Sequence, residues 1–324
     1  MKAAVITRYG SPDVVRIREA PKPAPAAGEV LIRVHAATVN RTDCGELRPH
    51  PFFARLFFGL RRPNRTIFGM DVAGEVEAVG AGVTLFRPGD RVFGMCPSRK
   101  NGAQAEYVCV PEAGPIADMP ANLAYDETVV CEGAYYADSG FKRFHLGPGH
   151  KILIYGASGA IGTAAVQLAK FYGADVTAVV AARHLDLVKS LGADRAIDYT
   201  AQDFTRIDDR FDFILDAVGK ASFIRCRRLL KTGGVFMATD VGPWCQNLPL
   251  ALWSWITGSN RVAVPLPARG SARAFVSFLK GLMEAGRFRA VIDRKYSLDA
   301  IADAYRYVET GQKTGIVAIK IAAD

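Results

Sequence analysis

The rhythm of apolar and polar positions changes part-way along the chain. Up to about residue 120 it consists of short alternating segments, and Ala3–Ile6, Glu29–Val39, Asp71–Val79 and Tyr107–Val110 read as strands. Pro21, Pro23, Pro25, Gly28, Gly80, Gly82, Pro88 and Gly89 break the pattern, which predicts an irregular, mostly β domain. From about residue 123, apolar runs alternate with helical periodicity. Lys151–Tyr155, Asp175–Val180, Arg195–Asp198, Phe211–Leu215 and Gly234–Ala238 read as strands. Gly159–Tyr172, His184–Leu191 and Ala221–Lys231 read as the helices between them, and Ser271–Ala285 as one more helix. Strand–helix alternation of this kind predicts a parallel sheet with right-handed crossovers. The tail adds a helix at Leu298–Glu309 and a strand at Gly315–Ile321, and no repeat is present.

Composition narrows the class. A length of 324 residues with 50% apolar and 23% charged types predicts about two globular domains. No apolar stretch approaches the ~20 residues that a bilayer-spanning helix needs. Only Ala3–Ile6 is continuously apolar before Thr7, Arg8 and the Gly10–Pro12 turn, so no signal peptide is expected and the expectation is a cytoplasmic protein. The formal charge of +9 favours anionic partners without choosing among them. Cys44, Cys96, Cys109, Cys131, Cys226 and Cys245 are scattered, which suggests reduced thiols. Neither they nor His35, His50, His145, His150 and His184 show zinc-site spacing, so no metal is expected.

The strongest chemical signal is Lys151-Ile-Leu-Ile-Tyr-Gly156-Ala157-Ser158-Gly159-Ala160-Ile161-Gly162, a G-x-x-G-x-x-G turn between a buried strand and an apolar helix. A pyrophosphate must approach backbone N–H groups at a helix N-terminus, where side chains would block it. Gly159 permits that approach and Gly162 close helix–strand packing. NAD binders hold the ribose with an acidic residue at the end of the second strand. Here that end reads Val179-Val180-Ala181-Ala182-Arg183-His184, with no carboxylate. Arg183 and His184 suit a 2′-phosphate instead, with Tyr199 following the third strand on the same side, so NADPH is the expected cofactor. The missing carboxylate also counts against a methyltransferase. No Tyr-x-x-x-Lys is present to support a short-chain dehydrogenase.

This layout resembles the medium-chain dehydrogenase/reductase superfamily, in particular its zinc-lacking quinone oxidoreductase (ζ-crystallin-like) branch. The carriers include Gly28-Glu-Val-Leu-Ile, Val39-Asn-Arg-Thr-Asp43, Gly69-Met-Asp-Val-Ala-Gly-Glu-Val76, Phe86-Arg-Pro-Gly-Asp-Arg-Val-Phe93, Tyr155–Gly162, Leu191-Gly-Ala-Asp194, Asp216-Ala-Val-Gly219 and Leu230-Lys-Thr-Gly-Gly234. The resemblance implies an α/β chain with a GroES-like partly open β-barrel domain (residues 1–122 and 288–324) and a doubly wound Rossmann domain (123–287). It also implies an active site in the crevice between them and a homodimer through nucleotide-domain sheet edges. The positions matching the family's catalytic zinc ligands are Asn40, Met70 and Glu132, which make no N/S zinc site. The region after Cys96 lacks the cysteine-rich structural-zinc lobe. Without a Lewis acid an unactivated alcohol is a poor substrate. The resemblance therefore points to hydride transfer from NADPH to a small electrophilic acceptor, a quinone or an α,β-unsaturated carbonyl.

By the same resemblance, Asn40 and Asp43 line the nicotinamide end of the site, Asn40 as an amide donor and Asp43 as an orienting group. Glu132 and Tyr135 or Tyr136 are further catalytic candidates. The cofactor candidates are Gly156 to Gly162, Ala181, Arg183, His184, Tyr199, Ala217, Val218 and Gly219. The aromatic, basic stretch from Arg48 to Arg62 reads as a lid, as a membrane contact or as an ordinary packed loop. The aromatics of Trp244–Trp255 face either a pocket or a subunit interface. Alternative functions are another carbonyl dehydrogenase or enoyl reductase, and a non-catalytic NADPH-binding protein of crystallin-like or RNA-binding kind. No basic patch interleaved with stacking aromatics is present, so neither a nucleic-acid partner nor stable membrane association is expected.

Overall fold

The computed structural model describes residues 1–49, 54–96, 102–240, 245–257, 261–263 and 272–321. The chain divides into two compact units, Met1–Glu132 with Gly270–Asp324, and Gly133–Arg269. These divisions replace the expected ones at 122/123 and 287/288. The short turn Tyr125–Glu127 packs on strands of the first unit, and so does the helix Ala272–Glu284.

The first unit opens with β1 (Lys2–Val5), β2 (Arg16–Glu19) and β3 (Glu29–Thr38), then the helices α1 (Arg41–Leu47) and α2 (Arg55–Phe58). It continues through β4 (Asp71–Val79), β5 (Arg91–Met95), β6 (Tyr107–Pro111) and β7 (Ile116–Asp118). Helix α3 (Cys131–Arg143) leads into the second unit, built from β8 (Lys151–Tyr155), α4 (Ala160–Phe171), β9 (Asp175–Val180), α5 (Leu185–Ser190), β10 (Arg195–Asp198), β11 (Phe211–Asp216), α6 (Phe223–Cys226), β12 (Leu230–Ala238), α7 (Asn247–Thr257) and β13 (Arg261–Ala263). The chain then returns to the first unit with α8 (Ala272–Glu284), β14 (Ile292–Ser297), α9 (Ile301–Glu309) and β15 (Ile316–Lys320).

In the first unit, a seven-stranded sheet runs β14-β15-β3-β4-β5-β7, with β6 also on β3. β3 pairs antiparallel with β4, β6 and β15. Its core is the inward side chains of these strands, such as Val30, Ile32, Val34, Val72, Val92 and Val317. Helix α9 covers this core with Ile301, Ala304, Tyr305 and Val308, the i, i+3, i+4, i+7 stripe of an amphipathic helix. β2 (Arg-Ile-Arg-Glu) and β14 (Ile-Asp-Arg-Lys-Tyr-Ser) escape the sequence reading because they are largely polar and mostly not buried.

In the second unit six parallel strands run β10-β9-β8-β11-β12-β13. This is the doubly wound order, with its switch point between β8 and β11. The helix expected over Ala221–Lys231 is broken: α6 covers four residues, a 3-10 turn follows at Arg227–Leu229, and β12 begins at Leu230. Leu230 pairs with Phe211, and a register shift accommodates the Lys231–Gly234 segment before regular pairing resumes.

Of the Arg48–Arg62 stretch, residues 50–53 lie outside the described residues; Leu56 on α2 and Leu60 just after it are more than half exposed. Residues 97–101, where the structural-zinc lobe was sought, and Trp244 also lie outside them, as does the side chain of Trp255; Leu252, Trp253 and Ile256 are exposed on α7. No helix among the described residues is long and apolar enough to cross a membrane.

Candidate active site and nucleotide-binding turn

In the first unit the polar residues of the core converge where β3 ends. Thr38 closes β3, Asn40 caps α1, Asp71 opens β4, and Glu132 lies in the first turn of α3. Asp71 and Glu132 are 0% and 3% exposed, Asn40 5%. Asp71 Oδ2 accepts the Thr38 hydroxyl (3.0 Å) and Asn40 Nδ2 (3.2 Å), and its Oδ1 accepts the Glu132 N–H (2.8 Å). Asn40 Nδ2 also donates to Glu132 Oε2 at 2.8 Å and lies 3.1 Å from Thr38 Oγ1. Asp43 accepts the N–H groups of Asn40 (2.7 Å) and Gly69 (3.0 Å), which fixes the turn before α1 and the approach to β4. Behind the cluster, Gln104 donates to the Thr38 carbonyl (3.0 Å) and accepts the Tyr305 hydroxyl (2.8 Å).

The structure thus brings together Asn40, Asp43 and Glu132 and adds Thr38 and Asp71, which sequence reasoning did not select as site residues. The expected donor role of Asn40 changes. An ionised carboxylate only accepts, so Glu132 and Asp71 take both amide hydrogens. Asn40 Oδ1 and Glu132 Oε1 are left without a protein donor. Tyr135 is buried and Tyr136 half-buried one turn further along α3.

Among the described residues no ion pair reaches Asp43, Asp71 or Glu132; the neighbouring Arg65 pairs with Glu46 at 2.7 Å. Burial, aided by the charge of Glu132, pushes the Asp71 carboxyl up to about 7. Burial likewise pushes Asp43 well up, with Glu132 adding to it. It pushes Glu132 up too, against Thr42, Asn40, Lys313 and Arg65. These coupled carboxyls hold protons to higher pH than exposed ones.

In the second unit the cofactor candidates gather at the carboxyl ends of β8 to β11. Gly156 has φ 75°, a conformation that favours glycine, and a Cβ there would stand 2.6 Å from Val218 Cγ1. A Cβ on Gly162 would meet the Gly156 carbonyl at 2.2 Å, so α4 packs against the turn only because residue 162 has no side chain. A Cβ on Gly159 would have its nearest neighbour at 3.6 Å: that position is open. Gly159 caps α4, directing the first N–H groups of the helix, with Ala160 and Ile161, towards the open side. On α3, a Cβ at Gly133 would stand 3.1 Å from Ala160, so Gly133 lets that helix run close to the turn.

Asp216 ends β11 and holds the next loop, accepting N–H groups from Val218 (3.0 Å), Gly219 (2.9 Å) and Ala221 (2.7 Å). The Ala217 N–H donates to the Tyr155 carbonyl (3.0 Å). Ala181 follows β9, and the exposed Arg183 lies in a 3-10 turn with Nε on His184 Nε2 at 3.0 Å. The Tyr199 N–H donates to the Val180 carbonyl (3.0 Å), which places Tyr199 at the same strand ends; its ring meets that of Tyr155 edge-on at 6.1 Å. The Asp216 clamp is a functional feature that the sequence reading missed, although Asp216-Ala-Val-Gly219 was among the family motifs.

The sequence matches the model of the alcohol dehydrogenase GroES-like domain over residues 26–121 and that of a zinc-binding dehydrogenase over 191–319. It is 33% identical to the 2-methylene-furan-3-one reductase of Solanum lycopersicum, over 98% of this chain and 79% of that protein. It is 31% identical to an NADPH-dependent alkenal/one oxidoreductase, chloroplastic, of Arabidopsis thaliana, again over 98% and 79%. Its fold matches the quinone oxidoreductase from Coxiella burnetii with a TM-score of 0.86 and 24% identity, covering 99% of each chain. The chain belongs to the medium-chain dehydrogenase/reductase superfamily, in its quinone oxidoreductase-like branch. It is an oxidoreductase. The comparison with a chloroplastic relative lends nothing to the cytoplasmic expectation.

Proposed function

We propose that the protein is a zinc-independent, NADPH-dependent reductase of electrophilic acceptors, quinones or α,β-unsaturated carbonyls. The observation that carries this reading is the open Gly159 position at the α4 N-terminus together with a β9 end that offers Arg183 in place of a carboxylate. Names of relatives support it, one for an enone-type substrate and one for NADPH and alkenals.

The turn fits a dinucleotide. The N–H groups of Ala160 and Ile161 at the α4 N-terminus would hold the pyrophosphate, those of Ala157 and Gly159 already donating to the Val179 and Gly156 carbonyls, and Arg183 with Tyr199 would hold the 2′-phosphorylated ribose. Val218 and Gly219, fixed by Asp216, would border it. When bound, the nicotinamide supplies hydride. The remaining work falls to the chain: it fixes the cofactor and keeps a buried polar cluster beside α1, in which Asn40, Asp71 and Glu132 hold one another.

The zinc of related dehydrogenases does not fit. Asn40 and Glu132 bond each other through an amide hydrogen, and Met70 adds only a thioether. An amide, a thioether and a carboxylate make a poor zinc donor set. An acceptor already electrophilic needs no Lewis acid, which is why this chemistry suits the site better than alcohol oxidation.

The test is NADPH oxidation with a quinone, an enone and a saturated aldehyde, with and without a chelator and against a no-enzyme control. Turnover of the first two, unchanged by chelation, is expected. Tight NADPH binding without turnover would favour a binding protein, and chelator-sensitive turnover of the aldehyde would favour a metal-dependent dehydrogenase.

A further inference from the structure

Beyond the end of β12 at Ala238 the chain presents a carboxylate, Asp240, beside the glycine loop that follows β11. Its place is built from both sides. Asp216 holds the loop through the N–H groups of Val218 and Gly219, at 3.0 and 2.9 Å. Gly219 takes φ 70°, and a Cβ there would stand 2.8 Å from Asp240 Cβ and 2.9 Å from Asp240 Oδ2. The carboxylate therefore lies directly against a position that only glycine leaves open. Behind it, the Thr239 N–H donates to the Asp216 carbonyl at 3.0 Å, and the buried Asn247 donates from Nδ2 to the Asp240 carbonyl at 3.0 Å. The backbone of Asp240 is thus pinned. Its carboxylate is exposed, and among the described residues no cation, N–H or hydroxyl reaches it.

Strand order decides which part of a dinucleotide such an acceptor meets. The open N-terminus of α4 follows β8, and Arg183 and Tyr199, which suit the adenosine half, follow β9 and β10 on one side of it. The order reverses between β8 and β11, so the other half of the molecule extends over the ends of β11 and β12. β12 lies two strands from β8, about 10 Å. A ribose offers two neighbouring hydroxyl donors, and a carboxylate with both oxygens open accepts them, as the acidic residue of NAD sites does on the adenosine side. We propose that Asp240 is a cofactor-binding residue that accepts hydroxyl hydrogens of the nicotinamide-side ribose. The proposal rests on the dinucleotide reading of the turn and adds the residue that holds the second half of the molecule. Arg183 and Asp240 then fix the dinucleotide from opposite sides of the pyrophosphate, which orients the reacting ring.

The test is isothermal titration of wild type, D240A, D240N and R183A with NADPH and with 2′,5′-ADP, which carries the adenosine half alone. D240A should weaken NADPH about tenfold or more, the loss of a charged hydrogen bond, and leave 2′,5′-ADP within about twofold of wild type. D240N keeps one acceptor oxygen and should fall between the two. R183A should weaken both ligands. The Tm of D240A and D240N should match wild type, because the side chain is exposed. A D240A variant that binds NADPH as wild type does overturns the proposal. So does one that weakens 2′,5′-ADP as much as NADPH, which would mark a disturbed loop. An R183A variant that binds 2′,5′-ADP unchanged refutes the 2′-phosphate reading alone, because the split in D240A still decides Asp240. A wild type that binds neither ligand refutes the dinucleotide reading and the proposal with it.

Discussion

Gly159 and Gly162, three residues apart in one turn, give opposite outcomes for the same added methyl. At Gly162 a Cβ would stand 2.2 Å from the Gly156 carbonyl oxygen and 2.6 Å from Ala157 Cα, both backbone. Overpacking of this kind costs about 1–3 kcal/mol, offset in part by the ~1 kcal/mol that alanine gains over glycine in a helix. With backbone atoms on both sides, G162A should therefore lose about 1–2 kcal/mol, roughly 2–8 °C in Tm for a unit of this size. At Gly159 the nearest atom is 3.6 Å away and φ is −79°, so G159A should fold with unchanged Tm. Its methyl would instead occupy the approach of the pyrophosphate. Losing one charged hydrogen bond there, about 1.5–3 kcal/mol, should weaken NADPH binding roughly 10–100-fold. G281A, in α8 with nothing within 4 Å, is the control and should gain about 0.5–1 kcal/mol. Differential scanning fluorimetry and an NADPH fluorescence titration read both properties. Wild-type NADPH affinity in G159A would refute the assignment of the turn, and an unmoved Tm in G162A would refute the close packing.

Three further outcomes follow from the buried polar groups. D216A strands three backbone N–H groups and should lose about 2–4 kcal/mol in urea unfolding, with D216N, which keeps one carbonyl acceptor, falling between it and wild type. Lys313 lies near 8 folded against an ordinary 10.5, so below pH 8 the folded chain carries the full cost of a desolvated ammonium, and that cost fades as pH rises towards 10.5. K313M should accordingly be more stable than wild type at pH 7, by at most ~3 kcal/mol, with the advantage shrinking above pH 8; an advantage that grows with pH would contradict this. Burial holds the thiols of Cys44, Cys96 and Cys226 up at about 12 and that of Cys131 well above its ordinary range. A thiol reagent on the native protein should label no more than Cys109 and Cys245, and fast labelling of the other four would show that the cores open readily.

Much of the nucleotide unit was legible because its strands are short apolar runs. Lys151–Tyr155 and Asp175–Val180 have the expected bounds, since a parallel strand covered on both faces leaves a continuous hydrophobic signature, and the short edge strand Arg195–Asp198 has its expected bounds too. β5 was hidden by Gly94, and β7 spans only three residues. The helix expected over Ala221–Lys231 failed because Gly233, at φ 76°, and the pairing of Leu230 with Phe211 draw the chain into strand early. The glycine turn carried its own spacing rule and could be read locally. The carboxylate cluster could not: Thr38, Asp71 and Glu132 are far apart in sequence, and the pairing of β3 with β4 and the bonds of Glu132 to Asp71 and Asn40 bring them together. For the same reason the direction of the Asn40 amide follows from which acceptors surround it, which no local pattern records.

The central claim is that a 2′-phosphorylated dinucleotide lies on the Gly156–Gly162 turn with Arg183 on its phosphate. Equilibrium titration of wild type and R183A with NADPH and NADH, followed by quenching of protein fluorescence, tests it most directly. The account predicts that wild type binds NADPH at least about tenfold more tightly than NADH, and that R183A loses that preference by weakening NADPH alone. Equal or tighter binding of NADH by wild type, or an R183A variant that keeps the preference, would contradict it.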